Sequence, residues 1–194
     1  DMTAGSVFRH LLNFAVPLLM GNIFQQLYNT VDTWVVGNYV SNEAFSAVGT
    51  VAPIINTLIG AFSGLASGAG VVISQYYGAG KYDRVKDAVH TAVMMTLVLS
   101  VAFTAIGIAM TPNMLRLMKT PAEVFPESRA YLNIYFSGIT GLMLYNMGAG
   151  ILRAVGDSKR PFYYLVCAAV INTVLDLVFV IAFEMGVEGV AYAT

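Results

Sequence analysis

The sequence predicts an all-α polytopic membrane protein, a bundle of apolar helices. Three observations carry that prediction. The chain has 194 residues, of which 57% are hydrophobic and only 11% charged, with a mean hydropathy of +0.69. Soluble globular chains carry about 25% charged residues. Second, residues 11–31, 44–80, 88–115 and 130–152 contain no Asp, Glu, Lys or Arg, and each meets or exceeds the roughly 20 apolar residues that a membrane span requires. Third, polar side chains within and at the end of the first run recur at helical spacing. Gln25, Tyr28, Asn29 and Asp32 stand at i, i+3, i+4 and i+7, which assigns them to one helical face.

Helix 1 is expected over about 11–36, after an amphipathic lead-in and with Arg9 and His10 at the membrane edge. Pro17 lies inside it, where a missing N–H and a ring clash favour a kink. The first apolar segment is too long and too polar for a cleaved signal peptide and reads as a retained helix. Helix 2 follows over about 44–77, and its Gly60, Gly64 and Gly68 have the four-residue spacing that lets helices pack closely in lipid. Gly78-Ala79-Gly80-Lys81 suits a helix end and turn. Helix 3 is expected over about 83–110, stopping before Pro112, with a long connection from Thr111 to Pro126. Helix 4 takes about 127–155. A polar turn, Gly156 to Arg160, then leads into helix 5 over about 162–183, with Pro161 placed to open it. After a loop at 184–189, a sixth helix begins at about Val190.

Cations orient the bundle. With the N-terminus cytoplasmic, the inner side carries Arg9, Lys81, Arg84, Lys86, Arg153, Lys159 and Arg160, and the outer side only Arg116, Lys119 and Arg129. The lipid bilayer is therefore the expected surroundings. Trp34 and the tyrosines at 39, 76, 77 and 82 fit its interfacial belt. The net charge of −1 argues against a nucleic-acid partner, which would want clustered Lys and Arg. One cysteine, Cys167, allows neither an internal disulfide nor a cysteine zinc site.

Carboxylates inside membrane spans are expensive and mark ion or substrate pathways. Asp32 on helix 1 has a counterpart on helix 5, where Asn172 and Asp176 are i, i+4 partners with Thr173 alongside. Helix 4 offers Tyr131, Tyr135 and Asn146 on a common face. Two carboxylates among such oxygens can hold a hard monovalent cation, or share protons because desolvation and mutual repulsion raise at least one pKa. Alternatively, each acid is satisfied separately by interhelical hydrogen bonds, worth only about 0.6 kcal/mol apiece. Enzyme signatures are sparse. Gly64-Leu65-Ala66-Ser67-Gly68 faintly suggests an intramembrane serine protease, but such chemistry needs a histidine base beside the serine, and His10 and His90 both fall near predicted membrane edges. The expectation is a non-enzymatic protein without a cofactor.

The chain resembles the N-terminal lobe of a MATE (multidrug and toxic compound extrusion) transporter. The resemblance rests on Pro17 followed by Leu27-Tyr28-Asn29-Thr30-Val31-Asp32-Thr33, on Ala47-Val48-Gly49 with Pro53, and on Gly68 to Gly80 with Ser74-Gln75. It continues through Leu152-Arg153-Ala154-Val155-Gly156-Asp157 with Pro161, Asn172-Thr173-Val174-Leu175-Asp176 and Gly189-Val190-Ala191-Tyr192-Ala193-Thr194. The resemblance implies one six-helix lobe of a twelve-helix plasma-membrane antiporter, the C-terminal lobe being absent. In such a protein, inward Na⁺ or H⁺ flow drives export of organic, often cationic, compounds. It assigns the coupling cation to Asp32, Asn172, Asp176 and Thr194, with Tyr28, Tyr131 and Asn146 in the supporting hydrogen-bond network. Spacing on the same helical faces adds Gln25, Asn29 and Tyr135 to that network. Pro17 matches the family proline linked to bending of helix 1. A lipid-linked precursor flippase of the same superfamily is the alternative; it would carry cationic groups within its cavity, whereas the Lys and Arg here map to edges and loops.

Overall fold

The computed structural model describes residues 7–194, with the side chains of 7, 10, 28, 32 and 42–44 outside the described set. Six α-helices follow in order: α1 (Val7–Tyr39), α2 (Asn42–Gly78), α3 (Tyr82–Leu117), α4 (Phe125–Ala154), α5 (Lys159–Leu177), continued by a π turn at Val178–Ala182, and α6 (Gly186–Ala193). Short links make sequential helices antiparallel neighbours. At about 1.5 Å per residue, the helices α1 to α3 reach about 50–55 Å, past the ~30 Å hydrocarbon core. Among the described residues, Phe45–Gly78, Tyr82–Leu117 and Lys159–Ala182 are long and apolar enough to cross a membrane.

Burial follows membrane rather than aqueous logic. Without a hydrophobic drive between helices, close backbone approach and polar contacts select the buried face. On α3 the buried stripe is Ala92, Thr96, Ser100, Gly107, Thr111 and Leu115, while Val98, Val101 and Ile106 face outward. The stripe's hydroxyls are satisfied locally: Thr96 Oγ1 donates to the Ala92 carbonyl at 2.8 Å and Thr111 Oγ1 to that of Gly107 at 2.8 Å. A Cβ on Gly107 would collide with the Phe136 ring of α4. Nearby, Thr104 Oγ1 donates to the Phe136 carbonyl at 3.0 Å. Helix α4 is the hub, packed against α2, α3, α5 and α6.

The α2–α4 seam corrects one expectation. Nothing lies within 4 Å of a Cβ built on Gly60, Gly64 or Gly68, so that small-residue face is open among the described residues. Instead, Ala66 and Gly70 meet Gly150 and Ala154: a Cβ on Gly150 would stand 3.0 Å from the Ala66 carbonyl oxygen. Four-residue spacing was present on two faces of α2, and the other one is used.

Several ends also differ. Helix α3 continues through Pro112 to Leu117. Proline is tolerated in such helices because hydroxyls and neighbours re-satisfy freed backbone groups, and burial of Thr111 and Leu115 holds the last turns in the core. Helix α6 starts at Gly186, not near 190, because Val187 is buried in the core cluster together with Val190 and Ala191. Pro17 lies within an unbroken α1. Helix α5 starts at Lys159, not near 162: after Gly156 with φ +89°, Asp157 Oδ1 accepts from the backbone N–H of Lys159 and Arg160 at 3.1 Å each and so satisfies the first turn.

Candidate cation site

Helix α5 supplies the centre of the site. Asn172 and Asp176, one turn apart, both point inward; Asp176 is 0% exposed and Asn172 6%. Thr173 Oγ1 donates to the Ala169 carbonyl at 2.9 Å. The amide of Asn172 has neither its Oδ1 nor its Nδ2 hydrogen-bonded among the described residues. Buried amides are almost always paired. An orphaned amide oxygen one turn from a fully buried carboxylate is therefore a donor set that suits a hard cation. Immediately beyond Asp176 the helix widens into the π turn at Val178–Ala182, a feature that recurs at functional sites. Its Val180 is buried, as are Asn172 and Asp176 before it.

Helix α1 lies along α5. Phe24 meets Phe162 edge-on at 5.7 Å, and a Cβ on Gly21 would stand 3.6 Å from Leu165 Cδ2. Positions 28 and 32 share the helical face of Gly21, Phe24, Val35 and Val36; the side chains of Tyr28 and Asp32 themselves are outside the described residues. The remaining members of the expected stripe lie at its edge. Gln25 Nε2 donates to Asn29 Oδ1 at 3.4 Å. Asn29 is exposed and lines a shallow depression of about 390 Å³ with Thr30, Thr33 and Trp34. Of the described members of the stripe, Gln25 is half-buried and Asn29 exposed.

The other expected groups are placed unequally. Tyr131 is 5% exposed and joins the core cluster with Val180, Val187, Val190 and Ala191, against which Tyr135 packs. Thr194 ends α6, and its hydroxyl donates to the Val190 carbonyl at 3.0 Å. Asn146 turns to α2 instead of α5: its Oδ1 accepts from Ser63 Oγ at 3.5 Å, and its Nδ2 donates to the Leu142 carbonyl at 2.9 Å. Ser63 had no signal in the sequence beyond being a small polar residue in a span. Among the described residues no cluster of three His, Cys, Asp or Glu could hold a metal, so a bound cation would rely on amide, hydroxyl and carboxylate oxygens together.

A family model, MatE, matches residues 17–178. Over 194 residues the chain is 34% identical to "Probable multidrug resistance protein YpnP" of Bacillus subtilis (strain 168), covering 100% of this chain and 44% of that protein. It is 37% identical over 193 residues to "Probable multidrug resistance protein YoeA" of the same organism, covering 97% and 42%. Among solved structures, the outward-facing conformation of a multidrug resistance MATE family transporter of the MOP superfamily superposes with a TM-score of 0.92 at 27% identity, covering 98% of this chain and 42% of that one. The chain thus spans less than half the length of these relatives. It is a multi-pass membrane protein that belongs to the MatE family.

Proposed function

We propose that this chain is the N-terminal lobe of a cation-coupled antiporter that exports organic, often cationic, compounds across the plasma membrane. The coupling cation, Na⁺ or H⁺, is a substrate of the exchange, held by Asp176 and Asn172 with Asp32 and Thr194. The observation that carries this reading is the orphaned, buried amide of Asn172 beside the fully buried Asp176. Neutralising that carboxyl by cation binding removes the cost of a buried charge, so occupancy biases the lobe between two packings, as alternating access requires. Helix α1 is the element able to respond. Its contacts are mainly with α5, and Pro17 supplies a weak point for bending. The N-terminus is cytoplasmic in this reading, which is supported by Lys81, Arg84, Lys86, Arg153, Lys159 and Arg160 at the two links on one end of the bundle. The second lobe supplies the other wall of the drug cavity, and the role is transport rather than catalysis.

The test is binding of radiolabelled Na⁺ against pH on the intact protein, with and without Asp176→Asn, beside efflux from proteoliposomes driven by a Na⁺ or a pH gradient. Saturable, Asp176-dependent binding selects Na⁺. No binding, with efflux driven by the pH gradient, selects H⁺. Efflux that follows neither gradient, or that is undiminished in Asp32→Asn, overturns the reading.

A further inference from the structure

Asp176 is closed to solvent, so a cation must reach it along some line of polar groups. Helix α4 provides one that the site above does not use in full. Glu127, Tyr131 and Tyr135 are spaced i, i+4 and i+8 and share one face, with Ser128 beside them. A carboxylate in the first turn of a helix ordinarily stands in water, where it offsets the helix dipole. Glu127 departs from that pattern in part: the residue is half-buried, with its Oε2 sealed from solvent. Ser128 is 0% exposed, and its hydroxyl has no hydrogen-bond partner among the described residues. The hydroxyl of Thr120, in the link just before α4, is likewise sealed and without such a partner. Those two hydroxyls, of Ser128 and Thr120, are costly to keep buried.

Their height in the lobe gives them a purpose. Helices α4 and α5 run antiparallel from the turn at 155–158. At about 1.5 Å per residue, Asp176 lies about 26 Å from the start of α5, and Tyr135 about 29 Å back from the end of α4. Tyr135 is therefore nearly level with Asp176. Tyr131 and Glu127 follow in steps of about 6 Å toward the opposite end, the end formed by the 118–124 and 183–185 links. Val180, Val187 and Val190 wall the line from α5 and α6.

We propose that Glu127, Ser128, Tyr131 and Tyr135 form the outer access route by which the coupling cation reaches Asp176, with the Glu127 carboxylate at its mouth. The proposal rests on the reading of Asp176 as the coupling carboxylate. A carboxylate at the mouth concentrates cations, and oxygens about one helical turn apart replace, with intervening water, the hydration that a Na⁺ ion or a proton gives up.

The experiment is the initial rate of drug efflux by the intact protein in proteoliposomes, titrated against external Na⁺ in one arm and external pH in the other. For Glu127→Gln the half-saturating external cation rises about tenfold, the order by which local charge alters ion capture. The maximal rate stays within about twofold of wild type, and Glu127→Asp restores most of the loss. Tyr135→Phe, which keeps the ring and removes only the hydroxyl, shifts the same parameter in the same direction. A Glu127→Gln curve that overlays wild type overturns the access route. So does a fall in maximal rate without a shift in half-saturation, which is the mark of structural damage; if Glu127→Gln does not fold, Tyr135→Phe decides alone. Wild-type efflux indifferent to both gradients, or undiminished in Asp176→Asn, instead overturns the coupling reading itself.

Discussion

The lobe contains two unlike regions. In the α2–α3–α4 region, helices meet at backbone distance: Gly107 under Phe136, Gly150 against Ala66, and Phe62 edge-on to Phe103 at 5.2 Å. Between α1 and α5 burial is sparser and more polar. Leu19, Ile23 and Leu27 of α1 are exposed, and the buried groups of α5 are Pro161, Asn172 and Asp176. Tight apolar packing is bistable at best and resists gradual change, whereas a helix resting on one neighbour can bend. Under the proposed function, the difference is a division of labour, with one region as scaffold and the other holding the charge that responds.

Substitutions can break that contrast. The largest effect expected is functional: Asp176→Asn in the intact protein loses gradient-driven efflux, while its melting temperature in detergent is unchanged or raised, because the amide removes an ionisable buried group. A large fall in melting temperature would make Asp176 a structural residue instead. Next comes Gly107→Ala, which sets a Cβ into the Phe136 ring and costs about 3 kcal/mol by overpacking. Combining it with Phe136→Ala should show strong coupling in a double-mutant cycle, and additivity would contradict the seam. Gly150→Ala, facing the Ala66 carbonyl at 3.0 Å, costs about 1 kcal/mol. Smallest is Gly64→Ala on the open face of α2, neutral or stabilising by about 0.5 kcal/mol through helix propensity. Equal losses for Gly64→Ala and Gly150→Ala would mean that both faces of α2 are packed.

Much of this was legible before the fold. The i, i+4 pair Asn172/Asp176 could be read as a one-faced polar patch, and the structure buries both. The turn at 156–160 declared itself through Gly156 and Asp157. Other features carried no local signal. Pro112 signalled a stop that the burial of Thr111 and Leu115 overrides. The π turn after Asp176 adds one residue to a hydrogen-bonded ring, and no residue type announces it. Asn146 shares a face with Tyr131 and Tyr135 by spacing, yet its partner, Ser63, comes from a different helix.

The sequence by itself determined the solvent and the elements. Long charge-free runs require membrane helices, and helical spacing puts Asn172 beside Asp176. Only the tertiary structure decided which faces meet: Gly70 rather than Gly64, and Gly107 under Phe136. The physical reason is the surroundings. Where lipid is as apolar as the core, hydrophobicity no longer separates inside from outside, and what remains is the fit of one backbone against another.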